Sequence, residues 1–187
     1  MKQSHEWYTP PRYLEVVRQL LGVIDLDPAS CAEANTLVQA RCFYDREMDG
    51  LMRLWPGRVY LNPPYGKYGS SSQQGRWMAK LREQFEAGIT VEAVALVNAA
   101  TDAKWFAPLW RYSLCFVDHR INFIDGSGGC AGRLSQRASC FVYLGTRSDS
   151  FARLFRPFGH VVCPAVSFEE RENGRVRVSF SRTRRSG

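Results

Sequence analysis

The stretch "VYLNPPYGKYG", residues 59–69, sets an apolar strand signal directly against two prolines. Proline fixes its own φ, gives up a backbone donor and pushes the residue before it into an extended conformation. Asn62-Pro63-Pro64-Tyr65 is therefore a short, stiff bend at the end of a strand, and Gly66 lets the chain turn away. A plain turn needs only one proline and a glycine. This one sets an amide side chain, a row of carbonyls and an aromatic face at a sheet rim.

The flanking sequence supplies the layers around that rim. Before it, Thr9 and the prolines after it suit a helix start, and Tyr13, Leu14, Val17, Leu20 and Leu21 recur at helical spacing until Gly22. "VIDLD" (23–27) reads as a short strand ending in acid, and a polar, helical or irregular stretch runs from Pro28 to about Gly50. After the bend, Trp77, Leu81 and Phe85 predict an amphipathic helix over 76–87, and "VEAVALVN" (91–98) a strand buried on both faces. Thr101 and Asp102 predict a helix through Trp105, Phe106, Leu109 and Trp110, whose aromatics read as helix core. "YSLCFVD", "ASCFVYLG", "GHVVC" and "RVRVSF" are further strands, with a helix near 149–156. Strands alternating with helices predict a three-layer α/β, Rossmann-like fold on a mixed, mostly parallel sheet. Ligands of such sheets sit outside the carboxyl ends of the strands, where "DLDP" and "LNPPY" both fall. With no internal repeat or linker, one domain spanning 1–187 is expected, carrying small loops at about 66–76 and 125–137.

Composition narrows the class. The 187 residues are 45% hydrophobic and 23% charged, ordinary for a globular protein with a real core. No apolar run approaches a membrane span, and "MKQSHEWYTPP" has no signal-peptide pattern, so a soluble, cytoplasmic protein is expected. Six scattered cysteines without a Cys-x-x-Cys pair, and three unpaired histidines, predict reduced thiols and no metal site. The net charge of +7 favours a polyanionic partner. Nothing in the sequence sets an oligomeric state.

The bend can carry chemistry. The Asn62 side-chain oxygen and a proline carbonyl, rigidly held, are two acceptors converging on one point. An exocyclic amino group such as adenine's offers two hydrogens and a poorly nucleophilic nitrogen. Accepting both hydrogens draws that nitrogen toward tetrahedral geometry and frees its lone pair, while Tyr65 stacks on the ring. A methyl group in line is then transferred by positioning and electrostatics.

"LNPPYG" resembles the (Asp/Asn/Ser)-Pro-Pro-(Tyr/Phe) signature of methyltransferases that act on amino nitrogens with S-adenosyl-L-methionine. With "EWYTPPRYLEVV", "DLDPAS", "DGLMRLWPGRVYLNPPYG", "AATDAKWF" and "HRINF", the chain resembles the compact phage and prophage DNA N-6-adenine methyltransferases over roughly residues 6–145. The resemblance implies a site-specific, adenine-specific DNA methyltransferase acting on double-stranded DNA with S-adenosyl-L-methionine. It gives Asn62, Pro63, Pro64 and Tyr65 the catalytic role. Thr9 and Pro10 match the segment near the cofactor's methionine carboxylate, though a helix cap accounts for Thr9 equally well. Asp25 and Asp27 match a cofactor-binding strand end, against a plain cap by Asp27. Asp49 matches the acid facing the cofactor's adenine amino group, against a simple Asp-Gly turn. One departure stands out: "DLDPASCAEAN" lacks the glycine-rich turn usual in the first cofactor motif.

A duplex presents no free base face, so the target adenine must be flipped out. Lys67, Tyr68 and Arg76 in "GKYGSSSQQGR", Arg133 and Arg137 in "GSGGCAGRLSQR", and Arg120 in "DHRINF" are the candidate DNA contacts. Each loop equally fits a surface without contacts, and Arg120 equally fits an ion pair with Asp118 or another acid. Other readings stay open: transfer to a cytosine amino group, an RNA base or a protein glutamine, or a non-catalytic nucleic-acid-binding protein on the same fold.

Overall fold

The computed structural model describes residues 7–125, 133–164, 166–169 and 177–180. Most of the glycine-rich loop, residues 126–132, and the arginine-bearing stretches 170–176 and 181–187 lie outside the described residues.

The elements follow in order: β1 (Trp7–Tyr8), α1 (Pro11–Leu21), β2 (Leu26–Asp27), α2 (Ala32–Val38), β3 (Cys42–Phe43) and β4 (Gly57–Leu61). Next come β5 (Lys67–Tyr68), β6 (Ser71–Ser72), α3 (Gln73–Glu86), β7 (Thr90–Asn98), β8 (Ser113–Val117) and β9 (Asn122–Asp125). The rest are β10 (Arg133–Leu134), β11 (Ser139–Leu144), α4 (Ser148–Phe155), β12 (Gly159–Val162), β13 (Val166–Glu169) and β14 (Arg177–Phe180). Seven strands form the central sheet in the order β12-β8-β11-β7-β4-β2-β3.

Apolar side chains alternate across that sheet. Tyr60, Val94, Leu96, Cys115, Phe141 and Tyr143 face the layer containing α1, α2 and α4. Val59, Leu61, Ala93, Ala95, Leu114 and Val142 face the layer containing Trp77, Met78 and Leu81 of α3. The expected three-layer α/β arrangement is present. Period-2 alternation with apolar residues on both sides is what a sheet covered on both faces requires.

The expectation of a mostly parallel sheet is corrected. Within the central sheet β7-β4, β4-β2 and β2-β3 are parallel, while β11-β7, β11-β8 and β12-β8 are antiparallel. The smaller ladders β1-β9, β10-β9, β5-β6 and β13-β14 are antiparallel as well. Continuous apolar runs suggested parallel strands, but they report burial on two faces, and helices cover the antiparallel half too. Direction is preserved where it matters: two antiparallel steps return β8 to the sense of β7, so β2, β4, β7 and β8 all end at one rim.

Two further expectations change. Residues 101–106 form turns and Ala107–Arg111 a 3-10 helix, with successive Ala103, Phe106 and Leu109 N–H groups donating three residues back. Pro108 has no N–H and clashes with an α-helical turn before it, which breaks the predicted helix into these tight turns. Phe106 is core as expected, while Trp105 is only half-buried and Trp110 is exposed. Likewise α3 begins at Gln73, with the Ser72 hydroxyl accepting from Gly75 N–H, so Arg76 is helical and the loop before it is the hairpin β5-β6.

Candidate active site

β2 leads through α2 to β3 on one side of it, whereas β4 lies on the other side. The crevice between the carboxyl ends of β2 and β4 is thus a point where the winding direction reverses, the general location for ligands in open α/β sheets. Asp27 ends β2 there, and Asn62 follows directly on β4.

Asn62 is oriented from a distant part of the chain. Its Nδ2 donates to the Trp7 carbonyl at 3.1 Å. A carbonyl only accepts, so the amide orientation is fixed and Oδ1 is left as the acceptor. Tyr65 Oη lies 3.4 Å from that oxygen. Desolvation holds the Tyr65 phenol well above its ordinary pKa, so it is a neutral hydroxyl. Its ring meets Phe123 edge-on at 6.3 Å between centroids. Gly66, at φ 93°, turns the chain off the bend in a conformation that side chains rarely adopt.

Trp7 reaches this position because β1 pairs with β9, Trp7 opposite Asp125 and Tyr8 opposite Ile124. The same crossing places Thr9, whose hydroxyl bonds to Tyr60 Oη at 2.7 Å. The reading of Thr9 as a helix cap is corrected: Pro10 holds the cap position of α1, with no side-chain cap bond, and Thr9 is buried against β4. Proline at the helix start needs no N–H partner, which frees the threonine.

Asp27 is 3% exposed, and burial pushes its carboxyl up to about 7, against the opposing pull of the Ala29 N–H and the Ser30 hydroxyl. It caps no helix. Its Oδ1 accepts from Ala29 N–H at 3.2 Å in a local turn, and α2 starts later, with the Cys31 thiol accepting from Ala34 N–H. Asp27 also raises the pKa of Tyr60, behind the larger effect of burial. Thr9, Tyr60 and Asp27 thus form one buried polar group under the crevice.

Asp49 is brought to the same place by its neighbour. A Cβ on Gly50 would lie 2.1 Å from the Pro28 carbonyl oxygen and 3.1 Å from the Trp77 ring, so this backbone lies directly against the end of β2. Trp55 Nε1 donates to the Gly50 carbonyl at 2.8 Å, and its ring stacks on Trp77. Asp49 itself has φ 47°, accepts from Leu51 N–H and is exposed. Asp25 is not brought to this group. It sits toward the amino ends of the strands, accepting from Arg58 N–H at 2.9 Å and pairing with Arg41 at 3.1 Å.

Beyond the bend a cleft of about 710 Å³ opens, walled by Trp7, Tyr65, Phe123 and Trp105, with Lys67 and Arg137 among its polar lining. Its inner end holds Gln74 and Asn98. Sequence reading missed Trp7, Phe123 and Gln74. Only the aromatic character of the first two was visible, and nothing marked their convergence on Tyr65.

The other cations singled out in the sequence are Arg76, Arg120 and Arg133. Arg76 stacks on the Tyr68 ring at 4.2 Å, and both are exposed. Arg120 is exposed and makes no ion pair among the described residues; Asp118 instead pairs with His119 at 2.7 Å. His119 in turn contacts Tyr13 Oη at 2.7 Å and Arg12 at 2.9 Å. Arg133 stands on β10, which pairs with β9. Among the described residues no cluster of His, Cys, Asp and Glu can hold a metal ion, and no helix is long and apolar enough to cross a membrane.

Residues 1–153 match the model of one family, the DNA N-6-adenine-methyltransferases (Dam). No curated protein and no solved structure matches the chain.

Proposed function

The chain belongs to the DNA N-6-adenine-methyltransferase (Dam) family, and from that premise we propose that it methylates the exocyclic amino group of an adenine flipped out of double-stranded DNA. The observation that carries this reading is the Asn62 amide. It is tied through Nδ2 to Trp7, with Oδ1 turned to accept beside the Tyr65 hydroxyl, between buried Asp27 of the crevice and an aromatic-walled cleft.

The residues on the crevice side fit S-adenosyl-L-methionine. A buried carboxylate with few donors around it, as at Asp27, suits hydroxyls or a cationic group. Asp49, carried against Pro28 by Gly50, suits an amino group, and Thr9 with Pro10 closes the site from the α1 side. The missing glycine-rich turn is answered in part by Gly50, whose close backbone approach comes from a later segment. When bound, the cofactor would supply an electrophilic sulfonium methyl group, and the adenine nitrogen that takes it would release one amino proton to solvent water.

The chain's own residues do the rest. Asn62 Oδ1 and a proline carbonyl of the bend accept the two amino hydrogens, and Tyr65, braced by Phe123, fixes the ring plane. Lys67, Tyr68, Arg76, Arg120, Arg133 and Arg137 engage the duplex around the cleft, arginine suiting phosphate through its forked donors.

Incubation with tritiated S-adenosylmethionine and unmodified duplex DNA, followed by nucleoside analysis, tests this reading. Label is expected in N6-methyladenine. Label in 5-methylcytosine, N4-methylcytosine or protein would overturn it. Removing one preorganised acceptor of this kind costs about a hundred- to a thousandfold in rate, so Asn62→Ala is expected to abolish detectable transfer with the fold retained by circular dichroism.

A further inference from the structure

Gln74 stands on the first turn of α3 and is 2% exposed. Its Oε1 accepts from Asn98 N–H at 3.2 Å. That backbone group is only a donor, which fixes the orientation of the amide and leaves Nε2 as the free end. Nε2 is buried and has no hydrogen-bond partner. Buried amide donors are almost always paired, and leaving one unpaired is costly. Gln74 is nevertheless part of the wall of the cleft that Tyr65 and Phe123 enter.

The residue is held by packing on every side. Gly75 beside it would place a Cβ 2.8 Å from the Trp105 side chain, so the first turn of α3 lies tight against the cleft wall. A side chain this enclosed, with one end tied to the last residue of β7, has little freedom to turn its NH2 group elsewhere. The unmet donor therefore calls for an acceptor presented by whatever fills the cleft.

We propose that Gln74 reads the target base, donating from Nε2 to the ring nitrogen beside its amino group, N1 of adenine. The proposal rests on the adenine-transfer reading above and adds to it a residue that pairs the ring edge beside the amino group. With the amino hydrogens taken by acceptors at the bend, the adjoining edge position of adenine is a bare acceptor, which a buried donor complements. Guanine carries an N–H at that ring position and would set donor against donor. Cytosine N3, beside its own amino group, would pair as adenine N1 does, so the contact discriminates against guanine and not against cytosine.

The test compares the full-length protein with Gln74→Leu and Gln74→Glu on random-sequence duplexes containing either adenine or 1-deazaadenine, scored by tritiated methyl transfer. Gln74→Glu keeps an acceptor for Asn98 N–H and replaces the donor with a carboxyl oxygen. On adenine DNA both variants are expected to lose about ten- to a hundredfold in kcat/KM. On 1-deazaadenine DNA the unmodified protein should show the same loss, and the variants no further one. The weaker pairing of 1-deazaadenine eases extrusion, so that loss cannot come from flipping. Equal transfer by the unmodified protein to both DNAs would overturn the proposal without needing any variant to fold. So would a penalty with 7-deazaadenine in place of 1-deazaadenine. Absence of transfer to any DNA would instead overturn the adenine reading itself, and the role of Gln74 would fall with it.

Discussion

Asp27 carries a pH dependence whose sign runs against the usual one for a carboxylate. Its folded pKa of about 7 lies above the ordinary carboxylate value, so between roughly pH 4 and pH 7 the native state binds more protons than the unfolded chain. Stability therefore falls as pH rises through that window, by about 4 kcal/mol at most, and is level above it. Asp27→Asn removes the penalty: urea unfolding should show the variant and the parent alike at pH 4 and the variant more stable at pH 8. The same substitution should weaken S-adenosylmethionine binding by calorimetry, because the ionised carboxylate is the form that meets a cationic or hydroxyl ligand. A variant no more stable at pH 8 would show that the carboxylate has a partner in the apo protein. This residue was legible in the sequence as an acid at a strand end. Its burial was not, because burial is set by packing that only the fold brings together.

Among the elements, the shortest ones position the most. β1 has two residues, yet it supplies the carbonyl that orients Asn62 and leads into the threonine that meets Tyr60. Deleting residues 1–8 should leave the seven-stranded sheet, judged by circular dichroism, but remove methyl transfer. Retained transfer would show that Asn62 is oriented without Trp7. The segment Asp49–Met52 is the second such element. Gly50→Ala puts a methyl group into the Pro28 carbonyl, an overpacking cost of about 1–3 kcal/mol. It should also lower cofactor affinity by lifting Asp49 away from β2, so thermal denaturation and a binding titration should both shift. Long periodic elements such as α3 and β7 were legible because their apolar spacing repeats. β1, β3 and β9 were not, since strands of two to four residues show no period and β1 finds its partner more than a hundred residues away. The predicted helix across 101–110 failed for a local reason that was present in the sequence, Pro108.

At the scale of the molecule, the sheet gathers unlike parts of the sequence at one rim, and the positive charge gathers with them. Lys67 and Arg137 line the cleft, and Arg76 and Arg120 are exposed. If these cations hold phosphates, the logarithm of DNA affinity falls linearly with the logarithm of salt concentration. Lys67→Ala and Arg137→Ala should each weaken binding on every sequence and reduce that slope by about one. An unchanged slope would place the side chain off the backbone. The three layers were legible from alternating strands and helices, while the balance of parallel and antiparallel pairing was not, because apolar runs record burial and carry no direction. The bond between Asn62 and Trp7 has a consequence for the order of assembly during synthesis. The tetrapeptide of the bend leaves the ribosome early, but the strand that clips its amide pairs with Ile124 and Asp125. A nascent chain holding every residue of the bend is thus still without a set amide, and a release before that point yields a fragment with the signature complete and the chemistry unassembled.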